Sequence, residues 1–250
     1  MGRILSLFEI MFVRAIKIAK RSMFPIFRWE QVSKAQARIA VVGTGFFINS
    51  KGYFVSVAHI FDGANRNTKF LYFGKLPENL QQPQLEIIEI AKDDDYDIFV
   101  GKIDTRVPKY FYLDNKIPDV GQSVCVSGYP LAAITADNSR ILQLGGVRRY
   151  FQPSFVLDIA VLKSGNDAGK IRTHDGFLIR DVGLFGMSGG PVFNVNGNIV
   201  GMQGSVTKPR ESKNSSGRTI SVENAVVISS KRISEFLKAK NIRTNLFGRF

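Results

Sequence analysis

Cysteine is almost absent from this sequence of 250 residues, in which Cys125 stands alone. No disulfide can form within the chain, so the usual staple of small secreted domains is excluded. The alternating run SVCVSG around Cys125 is typical of a buried, unreactive thiol. Because the lack of disulfides favours a reducing compartment, we expect a cytoplasmic location, at most peripheral to a membrane.

Long apolar runs are missing as well, since a membrane-spanning helix needs about 18 to 20 consecutive apolar residues. The early run ILSLFEIMFV has the look of a signal-peptide core. Glu9 interrupts it, however, and the basic run RAIKIAKR follows where a small-residue cleavage site should be. We therefore expect neither a membrane span nor a signal peptide.

Histidine is scarce too, because the chain has only His59 and His174. Two distant histidines and one cysteine give no ligand cluster at usable spacing. The sequence thus predicts no metal site, and we expect no cofactor.

Positive charge is plentiful, and it is concentrated at the two ends. The chain has 34 Lys and Arg against 21 Asp and Glu, a net charge of +13. Residues 1–28 and 231–250 carry +5 each, which leaves +3 for residues 29–230. An anionic partner would therefore be met by the termini. The near-neutral body and the lack of a nucleic-acid motif argue against nucleic acid.

Residues 3–21 separate into an apolar face and a basic face on a helical wheel, which predicts a basic amphipathic helix over residues 1–28. Three roles follow from that pattern. The helix could dock on the body of the protein, lie on an anionic membrane surface, or bind a regulatory partner chain. The sequence alone does not separate them.

The remainder of the chain reads as many short strands divided by Gly, Asn, Asp and Pro. Few runs have helical periodicity, so the pattern predicts a β-sandwich or a pair of barrels. The exception is a last helix, for which Ser229 is a suitable N-cap.

The stretch FGMSGGPVF crowds small residues around Ser188. A serine hydroxyl needs a base to act as a nucleophile, and His59 ends the apolar strand YFVSVAHIF, where its side chain can reach a cleft. His174 lies in a polar run and is expected at the surface. Asp97 begins the apolar strand DIFVGKI, where a partly buried carboxylate can orient the imidazole. The acidic residues 93–95 before it are expected to form a solvated turn.

The glycines beside Ser188 predict an anion cradle. Gly186 allows backbone geometry that is closed to other residues. Its N–H and that of Ser188 would then point the same way. Two converging N–H donors are what a tetrahedral oxyanion requires.

The order His59, Asp97, Ser188, within VAHIF, YDIFVGKID and GMSGGPVFNVNGNIVGM, resembles the trypsin/chymotrypsin-like serine proteases. This order excludes the α/β-hydrolase and subtilisin arrangements. The runs GTGFFINSKGYFVSVAHIFDGA, VGQSVCVSGYP and SVENAVVISSKRISEFLKA are similar to bacterial HtrA-type protease domains. The chain ends soon after the last helix, so we expect no PDZ domain.

The resemblance implies an all-β, chymotrypsin-like fold of two six-stranded antiparallel β-barrels, with an N-terminal amphipathic helix and a C-terminal helix. His59 and Asp97 would come from the first barrel and Ser188 from the second. It also implies a serine endopeptidase that forms an acyl-enzyme on protein or peptide substrates. We expect the first barrel over residues 36–105 and a linker over residues 106–120. The second barrel is expected over residues 121–228, and the C-terminal helix with its basic tail over residues 229–250.

The resemblance further implies that RDVGLFG and MQGSV wall the pocket for the residue before the scissile bond. Val182 and Leu184 would suit a small or medium apolar side chain, whereas Asp181, if it pointed inward, would select Lys or Arg. Both alternatives stay open. The backbone of MQGSV would pair with the substrate as an added strand, through Gln203, Gly204, Ser205 and Val206.

Two further hypotheses compete with a constitutively active protease. The chain could be a catalytically silent protease fold that binds partners through its basic termini. It could also be a latent enzyme whose cleft opens only when a partner or membrane takes residues 1–28.

Overall fold

The computed structural model describes residues 12–33, 37–79, 81–137, 140–165, 171–181, 183–207, 210–213 and 219–244. The described chain is mostly β-strand, and strands form two units that we call the first and the second β-unit. A short helix, α1 (Val13–Ser22), precedes them, and a second helix, α2 (Ser230–Ala239), follows them.

The first β-unit is one sheet of seven strands in the order β5-β4-β1-β2-β3-β7-β6. Its edge strands β5 and β6 are separated in the chain by Ile87 alone. Counted as one bent strand, they join the two edges, so the unit closes as a six-stranded barrel. The strands are β1 (Met23–Gln31), β2 (Ala37–Phe47), β3 (Tyr53–Ser56), β4 (Thr68–Phe73), β5 (Gln84–Glu86), β6 (Ile88–Asp93) and β7 (Ile98–Lys102).

The second β-unit is a closed barrel of six strands in the order β11-β12-β17-β14-β13-β8. Two hairpins, β9–β10 and β15–β16, stand apart from this barrel. The strands are β8 (Ser123–Gly128), β9 (Ala133–Asp137), β10 (Arg140–Gly145), β11 (Tyr150–Gly165), β12 (Ile171–Ile179), β13 (Pro191–Phe193), β14 (Ile199–Val206), β15 (Arg210–Lys213), β16 (Thr219–Val222) and β17 (Ala225–Ser229).

The N-terminal helix ends earlier than the sequence predicts. Residues 23–28 were expected to continue it, but they belong to β1, which begins at Met23 and pairs with both β2 and β4. Pro25 cannot continue a helix without losing a backbone hydrogen bond. The central place of β1 in the sheet then decides its conformation, so the first β-unit begins at Met23 and the expected start at residue 36 is wrong.

Helix α1 docks on the second β-unit through Phe12, Ala15 and Ile18. Ala15 and Ala19 are buried, and a β-carbon built on Gly197 would lie 3.4 Å from the Ala15 Cα. The rings of Phe12 and Phe193 make an edge contact, with centroids 6.2 Å apart. The basic residues of α1 stay exposed on its outer side: Arg14, Lys17, Lys20 and Arg21. No helix among the described residues is long and apolar enough to cross a membrane.

The C-terminal helix α2 packs against β14 and β17 of the second β-unit. Its N-cap is Ser229, whose Oγ accepts the N–H of Arg232, as the sequence predicts. The described residues 103–122 between the two units form no strand, apart from a single bridge between Leu113 and Ile199. The division of the chain at residues 106–120 stays a prediction.

Candidate active site

His59 and Asp97 contact each other at the edge of the first β-unit. His59 begins a one-turn 3₁₀ helix, His59–Phe61, shortly after β3, and Asp97 immediately precedes β7. Asp97 Oδ2 lies 2.8 Å from His59 Nδ1, and Asp97 Oδ1 accepts the His59 backbone N–H at 2.8 Å. Both oxygens of one carboxylate therefore fix the position of one histidine.

The two side chains of this pair differ in burial, with Asp97 inside the protein and His59 partly accessible to solvent. The Asp97 side chain is 1% exposed, whereas the His59 side chain is 32% exposed. A proton on Nδ1 that faces the buried carboxylate leaves Nε2 as the basic nitrogen. Asp97 also has a φ of 57°, which few residues other than glycine adopt, and its carbonyl accepts the Ala58 N–H at 3.2 Å. The histidine can therefore act as a base toward the cleft.

Ser188 lies in the loop 183–190, which we call the Ser188 loop, and β2 of the first β-unit holds that loop. The Thr44 N–H donates to the Ser188 carbonyl at 2.9 Å, and the Thr44 hydroxyl donates to the Gly186 carbonyl at 2.9 Å. Two bonds from one threonine thus fix the loop across the junction between the units.

Gly43 brings the Ser188 loop and the histidine turn together. A β-carbon built on Gly43 would lie 2.9 Å from the Ser188 carbonyl oxygen and 2.9 Å from Ile60 Cδ1. Ile60 follows His59 directly, so only a residue without a side chain permits this approach. The structure therefore places all three predicted residues, His59, Asp97 and Ser188, at the junction of the two units.

The N–H groups of Gly186 and Ser188 are oriented by hydrogen bonds on the other side of their peptide groups. The Phe185 carbonyl accepts the Leu131 N–H at 2.8 Å, and the Met187 carbonyl accepts the Gly190 N–H at 2.8 Å. In a trans peptide the N–H points opposite to the carbonyl. Among the backbone hydrogen bonds of the described residues, neither N–H has an acceptor. Gly186 has a φ of 93°, so the loop conformation depends on glycine.

The predicted pocket residues lie near this loop, with two qualifications. Val182 lies outside the described residues, and Asp181 is buried, with its carbonyl accepting the Ala225 N–H at 2.7 Å. Leu184 packs against the apolar core of the second β-unit. A β-carbon built on Gly183 would lie 2.6 Å from Gln203 Nε2, so the two predicted pocket segments are adjacent.

Gln203 is not available for the predicted pairing with substrate. Its N–H donates to Gly190 and its carbonyl accepts the Gly189 N–H, at 2.9 and 2.8 Å, so both groups are used within the protein. On that side of β14, the pairing with strand β13 ends at Met202, which lies opposite Pro191. Beyond Gln203, this edge has no strand partner among the described residues, which leaves Gly204 to Val206 for an added strand.

His174 is not at the surface, contrary to expectation. It is 1% exposed and lies on β12 beside Gly204, whose built β-carbon would be 2.7 Å from His174 Nδ1. Burial lowers the pKa of His174, the charges of His59 and Arg172 lower it further, and Asp97 opposes them. His174 therefore lies close enough to the His59–Asp97 pair to interact with it electrostatically.

Arg172 is the second group that the sequence interpretation missed. It is 4% exposed, and its Nε lies 3.2 Å from Asp97 Oδ1. Residues two apart in a strand share a face, so Arg172 and His174 reach the site together from the second β-unit. The sequence interpretation missed the burial of Arg172 and His174, because the polar run IRTHDG was interpreted as solvent-exposed.

Cys125 does not compete with Ser188 as a nucleophile. The thiol is fully buried, and burial, with a smaller contribution from the charge of Asp181, raises its pKa to about 12. A nucleophilic cysteine acts as the thiolate, which this environment opposes.

Two β-barrel-like units, with a His–Asp pair on one and a glycine-flanked serine loop on the other, define the chymotrypsin-like class of fold. The family model for the trypsin-like peptidase domain matches residues 43–202, which is more than half of the chain. The chain belongs to the trypsin-like peptidase domain family.

Relatives of known sequence carry protease names. A probable periplasmic serine endoprotease, DegP-like, from Rhizobium meliloti is 28% identical over 171 residues, which cover 67% of this chain and 28% of that protein. A protein of the same description from Halomonas elongata is 24% identical over 169 residues, which cover 66% of this chain and 29% of that protein. The chain spans less than a third of these relatives.

Solved structures share the fold. The active form of the Rv3671c protease from M. tuberculosis is 20% identical, with a TM-score of 0.63 and coverage of 94% of this chain and 86% of that chain. The HtrA-type protease AlgW with a decapeptide is 15% identical, with a TM-score of 0.62 and coverage of 91% and 66%. These solved structures show the fold, while family membership and the DegP-like relatives support a protease function.

Proposed function

We propose that the chain is a serine endopeptidase in which His59 is the general base, Asp97 orients it and Ser188 is the nucleophile. The observation that carries this proposal is the pair of 2.8 Å contacts by which both Asp97 oxygens hold His59. Such a pairing fixes the tautomer that leaves Nε2 basic.

In the proposed reaction, Ser188 Oγ attacks the scissile carbonyl while its proton passes to His59 Nε2. The N–H groups of Gly186 and Ser188 donate to the oxyanion of the tetrahedral intermediate. The intermediate then collapses, the His59 proton goes to the leaving amine, and an acyl-enzyme remains on Ser188. Water activated by His59 hydrolyses it by the same steps. One oxyanion donor of this kind is worth about 10²- to 10³-fold in kcat.

Gly204, Ser205 and Val206 would bind the substrate backbone as an added strand, since that edge of β14 has no strand partner among the described residues. For the residue before the scissile bond we propose a small or medium apolar side chain, which would contact Leu184. Selection of Lys or Arg by Asp181 is the competing proposal. Profiling wild type and Asp181→Asn on matched apolar and basic peptides separates the two, because only the second requires the carboxylate.

A binding module without catalysis is the alternative, and the four exposed basic residues of α1 motivate it. An anionic membrane or an acidic regulatory partner would suit that face electrostatically. This alternative predicts that removing the basic charges of α1 weakens binding to anionic vesicles while no peptide is cleaved. A latent enzyme would instead cleave peptides only when vesicles or a partner are added.

Hydrolysis of a quenched fluorescent peptide set by the full chain tests the proposal. Ser188→Ala is expected to lower kcat by at least about 10³-fold. Ser50→Ala removes an exposed hydroxyl from the β2–β3 turn and is the matched control, expected to leave the rate unchanged. Equal rates in wild type and Ser188→Ala would reject the proposal.

For location we keep the cytoplasm as our proposal, because a single buried cysteine is compatible with a reducing compartment. The names of the relatives place those proteins in the periplasm. Cell fractionation of the full chain separates the two, since release by osmotic shock would reject a cytoplasmic location.

A further inference from the structure

Arg172 connects the second β-unit to the carboxylate of Asp97 in the first. Its Nε lies 3.2 Å from Asp97 Oδ1, and its NH2 group donates to Asp62 Oδ2. The Nε–H is not aligned for a hydrogen bond to Asp97, whose Oδ1 already accepts the His59 N–H. The contact with Asp97 is therefore an ion pair at the side of the His59–Asp97 contact.

The backbone beside Arg172 is fixed to the same region. The N–H of Thr173 donates to the Asp95 carbonyl at 2.6 Å, so β12 docks directly on the turn before Asp97. The sequence predicts a solvated turn here, but the turn also makes contacts within the protein, because Asp94 pairs with Lys92 at 2.9 Å. A short anchored segment thus delivers the guanidinium to Asp97.

The charges around Asp97 are nearly balanced before His59 is protonated. Asp62, Asp94 and Asp97 contact two cations, Lys92 and Arg172. These five groups carry one net negative charge, and an imidazolium at His59 would bring the total to zero. Without Arg172, the fully buried Asp97 would keep His59 as its one charge partner among the described residues, and burial of an unpaired carboxylate is costly.

Geometry makes Arg172 more than a source of charge. Asp97 must present Oδ1 to the His59 N–H and Oδ2 to Nδ1, so a rotation of the carboxylate disturbs both contacts. Because Asp62 holds one end of the planar guanidinium, Nε stays beside Asp97 Oδ1, and rotation of the carboxylate would weaken this ion pair. The ammonium group of a lysine is a single point charge and cannot contact Asp97 and Asp62 with two separate nitrogens, as Arg172 does.

We propose that Arg172 is a positioning residue, which holds the Asp97 carboxylate in the orientation that His59 requires and does so from the opposite β-unit. This inference rests on the proposed function, because positioning matters only where His59 serves as a base. Under this proposal the second β-unit carries the nucleophile Ser188 and, through Arg172, also positions the carboxylate that orients the base His59.

The test compares Arg172→Lys and Arg172→Met with Lys163→Met in the full chain. Lys163 is an exposed cation on β11, opposite Thr173 in the register, so its loss matches the charge change alone. We expect kcat to fall about 100-fold in Arg172→Met and about 10-fold in Arg172→Lys, on the scale of a small misplacement of a reacting group. KM is expected to stay within about twofold, because the hydrogen bond and ion pairs of Arg172 among the described residues go to Asp62, Asp94 and Asp97 and not to Gly204, Ser205 or Val206.

A second readout follows the His59–Asp97 contact itself. The low-field proton resonance of His59 Nδ1–H is recorded in a Ser188→Ala background, with and without Arg172→Lys. We expect this resonance to shift or broaden in the Arg172→Lys chain while the remaining spectrum shows a folded protein. Lys163→Met is expected to leave it unchanged.

The two readouts separate the possible failures. If wild type cleaves no peptide, the proposed function fails, whereas the resonance still decides whether Arg172 positions Asp97. If Arg172→Met does not fold, Arg172→Lys decides the question. Wild-type kcat and an unchanged resonance in folded Arg172→Lys would overturn the inference, and so would a loss of rate carried by KM alone.

Discussion

His59 and Asp97, on the first β-unit, are held together by the side chain of Asp97, whereas Ser188, in a loop of the second β-unit, is held through its backbone. In the first, both oxygens of a buried carboxylate contact one histidine. In the second, the loop is fixed by its own peptide groups, by Gly186 at a φ of 93°, and by two bonds that Thr44 of the first β-unit donates to loop carbonyls. Functional-group substitutions should therefore damage the first half, and added β-carbons should damage the second.

Asp97→Asn is the strongest way to test the side-chain half. An amide has a single acceptor oxygen, so when that oxygen accepts the His59 backbone N–H, the amide nitrogen faces Nδ1 and favours the wrong tautomer. We therefore expect kcat to fall by about 10⁴-fold. Steady-state kinetics on a peptide substrate measure the change. Asp104→Asn, at an exposed carboxylate of the same region, is the control, and an equal loss in both would contradict the assignment.

Gly186→Ala tests the backbone half without altering any functional group. The added β-carbon would lie 2.4 Å from the Tyr129 carbonyl oxygen, so the loop must shift and the Gly186 N–H must move. We expect a loss of about 10²- to 10³-fold in kcat. Gly121→Ala is matched in backbone angle, with a φ of 84° and open space around it. Comparable losses in the two variants would show backbone strain alone, not a displaced donor.

Gly43→Ala tests the contact between the halves. Its β-carbon would press on both the Ser188 carbonyl and Ile60, which separates the serine loop from the histidine turn. We expect about a 10-fold loss in kcat/KM, equivalent to about 1.4 kcal/mol of activation free energy. Gly74→Ala, where the built β-carbon meets nothing within 4 Å, should keep wild-type activity. Full activity in Gly43→Ala would mean that this close approach is not needed.

The smallest expected effect concerns pH and stability at His174. Burial lowers the pKa of His174 from 6.5, so below that pH the unfolded chain binds a proton that the folded chain resists. The stabilisation is present above about pH 6.5 and is lost as pH falls. We expect the drop in unfolding free energy between pH 7.5 and 5 to be smaller in His174→Gln, measured by urea denaturation. An equal drop in both proteins would exclude His174 as its source.

The positions of His59 and Asp97 at strand ends and of Ser188 in a glycine-rich turn could be predicted from the sequence, because each lies in a short contiguous run. YFVSVAHIF and DIFVGKI identify His59 and Asp97 by their places at strand ends, and GMSGG identifies the glycine-rich turn. Ser229 is likewise recognisable as the N-cap of α2, because capping depends on neighbouring residues.

Contacts between distant segments could not be predicted in the same way. Arg172 pairs with Asp62 across 110 positions of the chain, and nothing in IRTHDG shows which partner would bury it. Residues 23–28 were assigned to the helix because they directly follow the amphipathic pattern, while the pairing of β1 with β2 and β4 is visible only in the sheet. Strand pairing within the first β-unit determines the conformation of β1, and contacts between the two units determine the place of Arg172; local propensity determines neither.

Reaction of the full chain with a fluorophosphonate probe, followed by peptide mapping, tests the central claim most directly. The account predicts one covalent adduct, on Ser188, that is absent from Ser188→Ala and forms slowly in Asp97→Asn. A folded chain that gives no adduct on Ser188, or gives it at the same rate in Asp97→Asn, would contradict the account.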